Sequence, residues 1–79
     1  MKKTELKYLR RVVRGSPGEK ETEMAKEKLE RFIESVPDDL ARHLLRLYLI
    51  NGLSWQGVAM KMGYVAESTP RLICKRYMK

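Results

Sequence analysis

A single cysteine, Cys74, stands in a chain of 79 residues. No disulfide can therefore form within it, and the disulfide-stapled scaffolds of small secreted domains are excluded. Long apolar runs are missing as well. The longest is Leu47-Tyr48-Leu49-Ile50, far short of the ~20 residues that span a bilayer. Met1-Lys2-Lys3 has the charge of a signal-peptide start, but Thr4-Glu5 follows where an apolar stretch belongs. His43 is the only histidine and has no cysteine or second histidine at ligand spacing, so no metal site is expected. Aromatic residues make up 8% and hydrophobic residues 43% of the chain. That is enough for a small core, which argues against long disorder and against an enzyme with a deep cleft. A single cytoplasmic domain over residues 1–79 is expected, with no membrane partner.

What the chain has is positive charge, unevenly spread. Its formal net charge is +7 and its pI about 9.8. Residues 1–14 carry six Lys/Arg against one Glu, residues 15–39 four against eight acids, and residues 40–79 seven against Glu67 alone. Two basic segments thus flank an acidic one. Basic segments attract polyanions such as nucleic acid without regard to sequence.

The periodicity is helical throughout. Leu6, Leu9 and Val13 form a stripe over 3–14, which Gly15 can close. Ser16 as N-cap, Pro17 in the first helical position and Glu19 at the third make a capping box for a second helix. That helix runs to about Ser35 on the stripe Ala25, Leu29, Phe32, Ile33 and Val36, with Met24 at its edge. Pro37-Asp38-Asp39 opens a third helix, with Ser35 or Val36 near the cap and acids where the helix dipole favours them. Leu40, Leu44, Leu45, Leu47, Tyr48, Leu49 and Ile50 make it the central helix, and Arg42 and Arg46 form a basic pair. Asn51-Gly52 ends it. Ser54 caps a short fourth helix whose buried positions are Trp55, Val58, Ala59 and Met62. After Gly63 and the turn Tyr64-Val65-Ala66, a fifth helix runs from about Glu67 to Tyr77. The expected class is all-α, with about five helices, the last two forming a helix-turn-helix. Residues 1–36 make an amphipathic platform suited to assembly, and residues 37–79 the remainder.

The spacing over 54–76 is what suggests the helix-turn-helix. A DNA-reading unit of this kind needs a small residue where its helices approach, and Ala59 supplies it. Four residues later a positive φ turns the chain, and Gly63 supplies that. Leu72, nine residues beyond the glycine, is expected to be buried. Ser68, Arg71, Lys75 and Met78/Lys79 then form a polar and basic stripe for the major groove, flanked by Arg76 and Lys61.

Residues 38–77, and above all Leu-Arg-Leu-Tyr-Leu-Ile-Asn-Gly-Leu-Ser-Trp-Gln-Gly-Val-Ala-Met-Lys-Met-Gly at 45–63, resemble the fourth region of sigma-70-type factors. They are most similar to the small sigma-region-4-like regulators of bacteriophages and mobile elements of Gram-positive bacteria. The resemblance covers about half of the chain. It implies that Ser54 caps the first helix of the motif, and that Trp55, Val58, Ala59 and Leu72 hold the two helices together. It implies that Glu67 accepts from cytosine N4 and that Arg71 faces bases. Lys75 and Arg76 would contact phosphate, and Val65 and Ala66 would lie where the chain meets the groove. Two departures stand out. Gly57 occupies the position where the family has a capping-box glutamate. Thr69-Pro70 replaces a β-branched apolar residue, and proline restricts the helix start to Glu67 or Ser68.

Little else points to chemistry. Cys74 beside Lys75 lacks a base and an oxyanion site, so a packing or DNA-facing thiol is expected. Asp38 and Asp39 are accounted for as helix-start acids, and Gly57 and Gly63 form no phosphate loop. No catalytic residue and no cofactor is expected. The primary expectation is a nucleoid-associated regulator that binds double-stranded DNA through Lys61, Val65, Ala66, Glu67, Ser68, Arg71, Lys75, Arg76 and Lys79, dimerising if the N-terminal helices pair. Two alternatives are a protein-interaction module directed at RNA polymerase or another host nucleoprotein, and the DNA-recognition subunit of a packaging complex.

Overall fold

Five helices follow one another in the computed structural model, which describes residues 1–15 and 18–78; no strand occurs among them. α1 (Lys3–Gly15) buries Leu6 and Leu9, with Val12 and Val13 half-buried beside them. It lies along α2 (Glu19–Ser35), which buries Ala25, Leu29 and Ile33 at four-residue intervals. The expected capping box is altered where it can be seen. α2 starts at Glu19, after an extended Gly18, so Glu19 is the first helical residue and not the third. Thr22 Oγ1 donates to the Gly18 carbonyl at 3.0 Å. Ser16 and Pro17, the expected cap and first position, lie outside the described residues.

The start of α3 (Asp39–Leu45) is corrected as well. Val36 is extended, the conformation favoured before a proline. Asp38 therefore takes the cap, accepting from Leu40 N–H at 3.0 Å. Ser35 instead donates its hydroxyl to the Phe32 carbonyl. Leu40, expected on the apolar side, is exposed in the first turn. α3 continues directly into a π-helical turn, Arg46–Ile50, in which Asn51 N–H reaches back five residues to the Arg46 carbonyl at 3.1 Å. Ala41, Leu44, Leu45, Leu47, Tyr48 and Leu49 are all buried, so this is the central helix, as expected. Its π-helical end touches α1, α2 and α4, while its first half touches α5.

The expected Arg42/Arg46 basic pair is used internally. Arg42 donates to the Val36 carbonyl at 2.8 Å and pairs with Asp39, while Arg46 pairs with Glu30 of α2. Gly52 turns the chain with φ 74°, and α4 (Trp55–Met62) and α5 (Ser68–Lys75) close the fold. Among the described residues no helix is long and apolar enough to cross a membrane.

Candidate nucleic-acid interface

The turn between α4 and α5 is built from local bonds. Ser54 Oγ accepts from Gly57 N–H at 3.0 Å and starts α4. Val58 and Ala59 are buried, while Trp55 and Met62 are only half-buried. At the other end Gly63 adopts φ 78°, ψ 19°. Its N–H donates to the Met60 carbonyl at 3.3 Å and the next N–H, of Tyr64, donates to Ala59 at 2.8 Å. This nested pair is a Schellman closure, and it needs a left-handed residue where glycine stands. Val65, Ala66 and Glu67 then run exposed on the outside of the turn. Glu67 is helical in its backbone and makes no capping bond with its side chain.

The register of α5 differs from the expected one. Pro70 and Cys74 are buried, four residues apart, and Met78 continues the same side. Leu72, expected to pack inside, is 61% exposed. Proline in the first turn fixes the local φ, and its ring is itself the apolar group that seats the helix start. Everything downstream follows at helical spacing. Met78, expected on the outer stripe, is consequently inside. Arg71, Leu72, Lys75 and Arg76 point outward and Ser68 is half-buried. Arg76 lies 5.7 Å from the centre of the Tyr77 ring. Lys61 is exposed in the last turn of α4, and Lys79 lies outside the described residues. Cys74 is an interior thiol whose Sγ donates to the Ala41 carbonyl at 4.0 Å. Burial, with a smaller effect from the Asp38 charge, pushes its pKa up to about 12.

Two of the expected site residues meet cations from the other end of the chain. Arg71 and Lys75 line a groove of about 420 Å³ whose opposite wall is Lys3 and Lys7 of α1, with Tyr48, Trp55, Leu72 and Met78 between them. Among the described residues no acid lines this groove. A second, more open trough continues from it along α1, sharing Lys7 and Tyr48 and adding Arg10, Arg11 and Arg14. Arg10 is the tie beneath it. Its Nε donates to the Tyr48 carbonyl at 2.9 Å and one terminal nitrogen donates to Leu53 at 3.0 Å and Gly52 at 3.3 Å. Its guanidinium also lies over the Tyr48 ring, 4.2 Å from the centre. Burial lowers the pKa of Arg10, the Tyr48 charge opposes this, and Arg14 adds to the lowering.

Lys61, Val65, Ala66 and Glu67 do not reach this groove; they sit on the end of α4 and the turn. Lys3, Lys7 and Arg10 were not among the expected site residues. Their spacing, with Lys3, Lys7, Arg11 and Arg14 nearly in line on one helix side, was the available signal. An arrangement of this kind can hold a polyanion electrostatically. No family model, no curated protein and no solved structure matches the chain.

Proposed function

We propose that the chain is a double-stranded-DNA-binding transcriptional regulator in which α4, the Gly63 turn and α5 act as a helix-turn-helix with α5 in the major groove. One observation carries the reading. The left-handed Gly63 closure delivers an α5 whose outward residues are Arg71, Leu72, Lys75 and Arg76, with no acid among them. Ala59, small and buried beside the turn, leaves room for the close helix approach that such a unit requires. Glu67, exposed at the start of α5, can accept a hydrogen bond from cytosine N4. Val65 and Leu72 offer apolar surface to thymine methyl groups, and Lys61 and Arg76 offer charge to flanking phosphates. The regulator is of the sigma-region-4-like kind carried by phages and mobile elements, acting in the bacterial cytoplasm.

The test is a fluorescence titration of labelled promoter duplexes at several salt concentrations, joined to selection of bound sequences from random duplex DNA. Six phosphate contacts give a log–log salt slope of about −5, and selection returns an enriched motif. Absence of duplex binding at low salt overturns the reading.

A further inference from the structure

We propose that the groove between α1 and α5 seats one sugar–phosphate strand of the duplex, with Lys3 and Lys7 on one wall and Arg71 and Lys75 on the other. This inference rests on the reading of α5 as a DNA-contacting helix. It gives α1, the most basic helix of the chain, a role in holding DNA that the helix-turn-helix does not require.

The ligand chemistry follows from the groove and its continuation. Four exposed cations face one space with no acid lining it, so the occupant carries several negative charges. The space is not a closed pocket but runs on past Lys7 into the trough beside Arg11 and Arg14, so the occupant is a linear polymer and not a small anion. Lys3, Lys7 and Arg11 recur every four residues, about 6 Å apart along the helix axis, close to the separation of successive phosphates on one strand. From Lys3 to Arg14 the rail is about 16 Å long, the reach of about three successive phosphates at that separation. Glu5, the one acid of α1, lies at about 200° of helical rotation from Lys3, whereas Lys7, Arg11 and Arg14 fall within about 80° of it. The stripe facing the trough is therefore uniformly positive.

The same geometry revises the part played by Arg71. It stands on the α1 side of α5 with Lys75, across the groove from two lysines, and serves as a phosphate clamp. Leu72 lies between the two walls, and Arg76, which does not line the groove, lies further round the exposed side of α5.

The measurement is the salt dependence of duplex binding for the full chain and for a Lys3→Ala/Lys7→Ala double variant, with a Lys3→Arg/Lys7→Arg variant as charge-retaining control. All four substitutions fall at exposed positions, and unchanged thermal melts verify that each variant folds. The alanine variant is expected to lose about 1.8 from the log–log slope, so that between 50 and 200 mM salt its affinity falls about twelvefold less than that of the unmodified chain. The arginine variant keeps the full slope, and all three chains select the same motif. An unchanged slope in the alanine variant overturns the inference while leaving α5 as a DNA reader. So does a shift in the selected motif. If the unmodified chain binds no duplex but captures an acidic polypeptide such as polyglutamate, both the inference and the reading beneath it fail.

Discussion

The Tyr48 ring lies flat against the Trp55 indole, with centroids 4.0 Å apart and planes 8° from parallel. This contact joins the π-helical end of α3 to the first residue of α4 across the Gly52 turn. Arg10 approaches the same tyrosine ring to within 4.2 Å. Two planar groups that close cannot share one face, so Tyr48 is held between the guanidinium and the indole. The stack links α1 to the start of α4 and underlies the groove lined by Lys3, Lys7, Arg71 and Lys75.

Removing Arg10 should therefore cost more than a surface arginine does. Its guanidinium satisfies three carbonyls at a helix end and adds a stacking contact. Hydrogen bonds from a charged donor and a half-buried cation–π contact together suggest a loss of about 2–3 kcal/mol for Arg10→Ala. For a domain of this size that lowers Tm by roughly 10–20 °C. Arg10→Lys should recover less than half, because an ammonium cannot bridge carbonyls in a planar fork. A thermal melt showing Arg10→Ala within 2 °C of the unmodified chain would remove the stack from any structural role.

The glycines should respond in opposite directions. A Cβ on Gly57 meets only ordinary contacts, 3.5 Å from the Leu53 Cβ and the Ser54 Oγ. Gly57→Ala should stabilise α4 by about 0.5–1 kcal/mol. Gly63 has open space around it but φ 78°, so Gly63→Ala should destabilise by about 1–2 kcal/mol through backbone strain alone. Gly52→Ala adds an approach of 2.9 Å to the Arg14 Cγ to a φ of 74°, and should be the worst of the three. Urea denaturation of the three variants tests the order; a destabilising Gly57→Ala would contradict it.

Much of the fold was legible because its signals are local. Ser54, Gly63 and the apolar stripes of residues 25–36 and 44–50 act within one or two helical turns, and the helices form where those residues place them. The structure departs from the periodicity where a proline or a group from another helix decides. Spacing from Gly63 predicts an interior Leu72, but the burial of Pro70 sets the register of α5 and turns Leu72 outward. Ser35 and Val36 were reasonable caps by spacing, yet the extended backbone before Pro37 hands the role to Asp38. Arg42 and Arg46 read as free charge until the Val36 carbonyl and Glu30 are brought to them. That Lys3 and Lys7 line one groove with Arg71 and Lys75 is not legible in the sequence, because no local pattern says which of the other four helices shares a groove with α1.

Cys74 should behave as an interior group in two separate measurements. Burial keeps its thiol protonated to about pH 12, so modification by a thiol reagent at pH 8 should be slow in the native protein and fast in urea. The unfolded chain has the lower pKa and releases its proton first. The contribution of the buried thiol to stability is then fully present below about pH 9 and is lost as pH rises from there toward 12, with a slope of at most about 1.4 kcal/mol per pH unit. Denaturation curves at pH 8 and 10.5 for the unmodified chain and for Cys74→Ala separate this from lysine titration, because only the cysteine component disappears in the variant. Rapid native labelling at pH 8 would mean that the α3–α5 contact opens readily.

Leu72 separates the two registers of α5 most cleanly. In the expected register it was an interior leucine, and truncating such a residue costs about 2–5 kcal/mol. In the observed register it is 61% exposed, between Arg71 and the later cations of the outward side. Leu72→Ala should accordingly change stability by no more than about 0.5 kcal/mol. Pro70→Ala, at a position that is completely buried, should be clearly destabilising despite the ordinary preference of helices for alanine. If α5 lies in a major groove with Leu72 toward the bases, the same Leu72→Ala variant should lose discrimination at one thymine position by about 1 kcal/mol, roughly fivefold in relative affinity, and keep its salt slope. A stable Leu72→Ala protein whose selected motif is identical to that of the unmodified chain would keep the register but take Leu72 out of the recognition surface. A strongly destabilised one would return it to the core.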